Sequence, residues 1–280
     1  MMEEMTDPTD FSFEEFLHAS DLSKLPPFGD TWLGNADSDK GLLLLHGYTG
    51  SNVEMYPYGL LFASQSYRVH IPLLPGHGTN HRDLLKVKYR DWLSAVERAL
   101  KALSDEKPGR KIGVAGLSMG GTLSLHLAAN FPDIVKVVIP MAAPVYLKLG
   151  IRNLFRLFRW TNLTVPYREY QFMDETVKTN ALVRYLKQNY GRLPVRNMME
   201  VADLVKFVFK ELPKINQPIL VIHSEHDEVV SRKNPSIILN SVRSKVKKVK
   251  WVSNSYHVLV ADYDREIVAK AAIEFMNKYL

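Results

Sequence analysis

From Gly41 to Met141, short uninterrupted apolar runs alternate with stretches whose apolar residues recur at helical spacing. Leu42–His46 is a continuous run, the pattern of a strand buried on both faces. Val53–Ser66 follows as a helix, and Tyr67–Leu73 reads as the next strand, ending in the loop Pro75-Gly76-His77-Gly78. Tyr89–Leu103 sets Trp92, Leu93, Val96, Leu100 and Leu103 on one helical stripe. Lys111–Gly116 then reads as a strand, Ser118–Ala129 as a helix and Ile134–Met141 as another apolar strand. Alternation of this kind predicts a mainly parallel sheet with helices on both faces.

The pattern changes over Ala143–Pro213, a stretch rich in Arg, Leu, Phe and Tyr that contains no convincing strand and reads as a helical insertion. The sheet resumes at Pro218–His223 and continues at Val246–Val252. It closes with a helix over Arg265–Leu280, expected to bury Ile267, Ala271, Ile273–Phe275 and Leu280. The fold class is therefore α/β, with a core built from residues 41–143 and 214–280 and a cap from residues 144–213. The cap is expected over the carboxyl edge of the sheet, where open α/β sheets bind ligands. Residues 1–40 remain as an acidic N-terminal extension.

The 280 residues are 46% apolar and 24% charged, the mix of an ordinary globular chain. With no cysteine, the chain has no disulfide, thiol nucleophile, Cys-ligated zinc or iron–sulfur cluster. This composition suits a reducing compartment, and a cytoplasmic location is expected. No uncharged apolar run approaches the ~18–20 residues of a membrane helix. Met1–Asp30, with eight acidic residues and one lysine, does not read as a signal peptide. The formal charge of +6 is uneven, because the remainder of the chain sets 35 basic against 22 acidic residues. A basic body can point to nucleic acid, but the sequence has no helix-turn-helix, RNP-like strand or zinc spacing, so no nucleic-acid partner is expected.

The chemistry centres on Gly116-Leu117-Ser118-Met119-Gly120, a G-x-S-x-G pattern with a strand before it and a helix after it. Such a turn lifts a serine hydroxyl above the sheet edge and aims the positive end of the helix at it. A serine hydroxyl needs a base, and the base needs an orienting acid. Ser224-Glu225-His226-Asp227-Glu228 follows one predicted strand, and Ser253-Asn254-Ser255-Tyr256-His257 follows the next. Each loop lies at the edge expected for Ser118. Asp227 is assigned as the acid, with Glu225 and Glu228 competing for the role, and His257 as the base. Leu45-His46-Gly47-Tyr48-Thr49-Gly50 follows the first strong strand. The backbone N–H groups of Tyr48 and Met119 are the expected oxyanion donors, worth about 3–4 kcal/mol each in the best cases. His46 reads as a structural hydrogen-bonder. The pairs His77/His81 and His223/His226 lack metal-site spacing, so no metal and no cofactor is expected.

Several stretches resemble the α/β-hydrolase superfamily, and within it the small bacterial carboxylesterases and monoacylglycerol lipases. They are LLLLHGYTGS (42–51), PLLPGHGT (72–79), DW (91–92), GLSMGGTLSLHLA (116–128), HDEVV (226–230) and NSYHV (254–258). The resemblance runs from Gly41 to Leu280 and implies the α/β-hydrolase fold, a Ser118–Asp227–His257 triad and an oxyanion hole from the Tyr48 and Met119 amides. It also implies a mobile cap over an acyl pocket, and places His77 on a loop beside the site. In the monoacylglycerol-specialised members an acidic cap residue helps to hold glycerol. In Tyr190-Gly191-Arg192-Leu193-Pro194 a glycine stands where that acid would fall, which favours a general carboxylesterase on short to medium acyl chains.

Tyr146, Leu147, Phe155, Phe158 and Phe172 are expected to line the acyl pocket. Lys148, Arg152, Arg156 and Arg159 recur at helical spacing beside an apolar stripe. This reads as a cap helix lining the tunnel, with weak contact to an anionic membrane surface as the alternative. The expected partner is a small acyl ester, or a monoacylglycerol as the alternative substrate. Thioesters, lactones and amides use the same groups, and a non-catalytic ligand-binding role is the reading from a different class.

Overall fold

The computed structural model describes residues 26–147, 164–166 and 192–280. The strands are β1 (Thr31–Leu33), β2 (Lys40–Leu45), β3 (Arg68–Ile71), β4 (Lys111–Leu117), β5 (Val135–Met141), β6 (Thr164–Pro166), β7 (Arg192–Pro194), β8 (Ile219–Ser224) and β9 (Lys247–Val252). The helices are α1 (Asn52–Ser64), α2 (His81–Leu84), α3 (Tyr89–Asp105), α4 (Met119–Asn130), α5 (Val195–Phe209), α6 (Asn234–Ser241) and α7 (Arg265–Tyr279). Seven strands form one sheet in the order β1-β3-β2-β4-β5-β8-β9. Every neighbouring pair is parallel except β1 with β3. This is the α/β-hydrolase arrangement, a mainly parallel sheet covered on both faces.

The continuous apolar run of β2 has a direct cause. Leu42 and Leu44 enter the core on one face of the sheet, and Leu43 and Leu45 enter the core on the other. All four are fully buried, and burial of each contributes about 1.5–3 kcal/mol. The first core is closed by Tyr58 and Phe62 of α1 and Val268 and Phe275 of α7. The second is closed by Trp92 of α3, Leu123 of α4 and Leu204 of α5. With an apolar layer on each side, the parallel strands need no polar face.

Three expectations change. The sheet begins at β1 rather than at Gly41, because Thr31–Leu33 pairs with β3 and buries Leu33. The insertion contains strand: β6 and β7 pair antiparallel, Thr164 opposite Pro194 and Pro166 opposite Arg192. In α7 the buried stripe is Val268, Ala269, Ala272, Phe275 and Met276, while Ile267 is exposed. The stripe follows the i, i+4, i+7 spacing of one helical face, and Ile267 lies off it.

At the end of the insertion, α5 docks onto the core helices. Asn197 donates from Nδ2 to the Leu84 and Val87 carbonyls, at 2.7 and 3.1 Å. Glu200 accepts the Tyr89 N–H at the start of α3, at 3.1 Å. At the opposite edge of the sheet, β9 exposes Lys247 and Lys248, charges that discourage pairing with a further strand. Among the described residues, no helix is long and apolar enough to cross a membrane.

Candidate active site

The site forms where β2, β4, β8 and β9 end on the same edge of the sheet. Ser118 stands between β4 and α4 with φ 53° and ψ −116°. A non-glycine residue at positive φ is strained and is held there by its surroundings. Ser118 N–H donates to the Met141 carbonyl at 2.7 Å, and the Ser118 carbonyl accepts from Thr122 N–H at 3.1 Å. Glycine is required on both sides of the turn. A Cβ on Gly116 would stand 2.4 Å from the Gly120 carbonyl carbon, and one on Gly120 would stand 2.2 Å from the Leu45 oxygen. These close approaches press the start of α4 against the end of β2.

His257, on the loop after β9, directs Nε2 at Ser118 Oγ (2.9 Å) and Nδ1 at Asp227 Oδ2 (2.8 Å). Asp227, on the loop after β8, turns its other oxygen to the N–H groups of Val229 and Val230, at 2.9 and 2.8 Å. The competition within that loop is decided by placement: Glu225 and Glu228 are exposed, whereas the Asp227 side chain has no accessible surface. Burial pushes the Asp227 carboxyl up, but the facing His257 and the Val230 amide outweigh it and hold the group below the usual carboxylate range. An ionised Asp227 can only accept, so Nδ1 of His257 carries a proton and neutral His257 presents a bare Nε2 to the serine. Ser118 is half-buried.

Met119 opens α4, so its N–H belongs to the first turn, which has no intrahelical acceptor. The Gly47–Gly50 turn runs alongside, and a Cβ on Gly47 would stand 3.6 Å from Ser118 Cβ. His46 fastens this turn from behind. Its Nε2 accepts the Leu74 N–H (3.0 Å), so in the neutral ring Nδ1 carries the proton and donates to the Gly47 carbonyl (2.9 Å). Burial holds the His46 ring well below its usual protonation range, with His77 adding to the effect. His77 packs edge-on against His46 and Tyr48 with ring centroids 4.9 and 6.1 Å away, and burial lowers its pKa to about 4.

Of the residues assigned to the acyl pocket, Tyr146 is exposed and Leu147 is half-buried at the exit from the core. Phe155, Phe158 and Phe172 lie outside the described residues, as do Lys148, Arg152, Arg156, Arg159 and Gly191.

Supporting residues appear that the motifs did not single out. Asn234 is buried and its Oδ1 accepts from both Val145 and Tyr146 N–H groups, at 2.8 Å each, anchoring the chain where it leaves β5. Asp262 and Asp264 hold the His257 loop by accepting from Tyr256 N–H (2.9 Å) and Asn254 N–H (2.7 Å). His223 places Nε2 at 3.6 Å from Asp227 Oδ2. In the sequence His223 stood out only as half of a pair with His226, and the signal of the two aspartates was their position a few residues beyond His257.

Comparison with known proteins gives the family and the fold. A family model described as "Serine aminopeptidase, S33" matches residues 36–264. A thermostable monoacylglycerol lipase of Bacillus sp. (strain H-257) is 33% identical over 242 residues, 85% of this chain and 91% of that protein. A carboxylesterase of Bacillus subtilis (strain 168) is 28% identical over 246 residues, 86% of this chain and 93% of that protein. A solved structure from work on the metagenome-derived lipolytic enzymes LipS and LipT superposes with a TM-score of 0.80 at 26% identity, covering 91% of this chain and 99% of that one. The crystal structure of Paleococcus ferrophilus monoacylglycerol lipase shares the fold with a TM-score of 0.74 at 16% identity, over 91% of this chain and 100% of the other.

Proposed function

The chain belongs to the serine aminopeptidase, S33 family, and from its relatives named carboxylesterase and monoacylglycerol lipase we propose that it is a carboxylic ester hydrolase working through an acyl-enzyme on Ser118. The observation that carries this reading is the unbroken hydrogen-bond chain from Ser118 through His257 to Asp227. Ser118 Oγ attacks the ester carbonyl carbon as His257 Nε2 takes the hydroxyl proton. The carbonyl oxygen becomes an oxyanion facing the Tyr48 and Met119 amides, a preorganised stabilisation that contributes several kcal/mol. Collapse breaks the ester C–O bond, and the imidazolium gives its proton to the departing alkoxide. Water then repeats the sequence on the acyl-enzyme and releases the acid. Asp227 stays ionised throughout and stabilises the imidazolium.

The substrate class is a small acyl ester. The carboxylesterase relative and the glycine at position 191 favour simple esters of short to medium acids. The monoacylglycerol lipase relative favours a glycerol ester as the second reading. Paired kcat/KM values for a monoacylglycerol and the ethyl ester of the same acid separate the two. A preference of at least tenfold for the glycerol ester selects the second reading. No turnover of either ester, or of chromogenic esters of short and long acids, ends the esterase proposal. The absence of cysteine suits a cytoplasmic setting. Contact of the basic stretch 148–159 with anionic lipid is a subsidiary proposal, and vesicle co-sedimentation that ignores lipid charge removes it.

A further inference from the structure

Glu54 is a buried carboxyl that the proposed chemistry leaves unused. It lies in the first turn of α1 and is 5% exposed. Ser51-x-x-Glu54 has the spacing of a capping box, in which the glutamate would bond the Ser51 N–H and the serine hydroxyl would bond the Glu54 N–H. The serine half does not form: Ser51 Oγ caps nothing and is buried without a partner. The glutamate reaches further, and its Oε2 accepts the Gly47 N–H at 2.8 Å. The carboxyl thereby sits beneath the Gly47–Gly50 turn, which is closed by Gly50 N–H to the Gly47 carbonyl at 3.1 Å and has Thr49 at φ 65°. A Cβ on Gly50 would stand 2.5 Å from the same Oε2, so that glycine makes room for the carboxyl.

The consequence lies in the two peptide planes around Gly47. Its carbonyl shares a plane with the Tyr48 N–H, and in a trans peptide the two point in opposite directions. His46 and Gly50 both donate to that carbonyl, which sets the direction of the Tyr48 N–H. The preceding plane, bearing the Gly47 N–H, is fixed by Glu54. Between the planes stands a glycine, whose backbone rotates more freely than any other residue.

We propose that Glu54 is a positioning residue for the oxyanion site: by bonding the Gly47 amide it locks the backbone that aims the Tyr48 N–H. This rests on the esterase reading and deepens it. Two requirements follow, an acceptor at the end of the side chain and the Cγ–Cδ–Oε reach beyond Cβ that glutamate and glutamine share. The charge is a separate matter. Burial pushes the carboxyl up to about 7, opposed by the Gly47 N–H and by His257, the titratable side chain that faces it from the loop after β9.

The test compares Glu54→Gln, Glu54→Asp and Glu54→Leu with wild type and Ser118→Ala, with melting curves to confirm folding. Glutamine keeps the reach and an acceptor, so its kcat stays within about tenfold of wild type. Aspartate keeps the charge but falls one methylene short, and leucine has no acceptor. Both lose ~10²–10³ in kcat, the scale of one missing oxyanion donor, with KM little changed. A folded Glu54→Leu enzyme within threefold of wild type overturns the inference, as does an aspartate variant at least as active as the glutamine one. If leucine prevents folding, the glutamine–aspartate comparison decides alone. A wild type that neither hydrolyses esters nor takes a phosphonate sinks the esterase reading and this inference with it, whereas an active wild type with an indifferent Glu54 sinks only the inference.

Discussion

Asp227→Asn is the substitution whose effect the geometry specifies most fully. The asparagine oxygen can stay on the Val229 and Val230 N–H groups, where Asp227 Oδ1 now accepts at 2.9 and 2.8 Å. The amide nitrogen then replaces Oδ2 at 2.8 Å from His257 Nδ1. An amide nitrogen only donates, so His257 must accept at Nδ1 and carry its proton on Nε2. That proton points at Ser118 Oγ, 2.9 Å away, and the imidazole can no longer receive one from the serine. The site keeps its shape and loses its base. The expected fall in kcat is ~10⁴, about 5 kcal/mol of transition-state stabilisation. Steady-state turnover of a chromogenic ester over a broad pH range measures it, beside a melting curve that should show an intact fold. A folded Asp227→Asn enzyme within tenfold of wild type would refute the tautomer argument and remove Asp227 from the mechanism.

Gly120→Ala brings a Cβ to 2.2 Å from the Leu45 carbonyl oxygen. The backbone must shift, at a cost of about 1–3 kcal/mol in urea unfolding, and activity falls with it. Asn234→Ala removes the shared acceptor of the Val145 and Tyr146 N–H groups, and the same unfolding assay should register a loss of about 1–3 kcal/mol. His126 is buried between Glu211 (2.7 Å) and Glu97 (3.0 Å). Burial lowers its pKa, but the two carboxylates outweigh this and raise it overall. A raised histidine contributes stability that is fully present below its unfolded pKa and is lost as pH rises through the folded one. Melting temperature should therefore carry an alkaline decline that His126→Phe lacks, and parallel pH dependences in the two proteins would contradict the assignment.

The sheet was legible because Leu42–Leu45 and its counterparts are apolar on both faces, a pattern that only burial between two helical layers explains. The serine turn was legible because Gly116 and Gly120 leave no room for any side chain. Short elements were not. Thr31–Leu33 and the β6–β7 pair have three residues per strand, too few for a period to emerge, and their pairing is decided by distant partners. Glu225, Asp227 and Glu228 look alike in sequence, and only the tertiary fold buries one against His257 while exposing the other two. Glu54 was hidden for a related reason. An acid in the first turn of a helix is ordinarily a dipole partner in water, and nothing local says that its carboxyl turns inward to the Gly47 amide.

The most direct measurement is peptide-resolved mass spectrometry after treatment with an alkyl fluorophosphonate. One adduct per chain is expected on the peptide containing Ser118, absent from Ser118→Ala and formed far more slowly in His257→Ala. Ester hydrolysis accompanied by labelling of a different residue, or persisting in Ser118→Ala, would contradict the account.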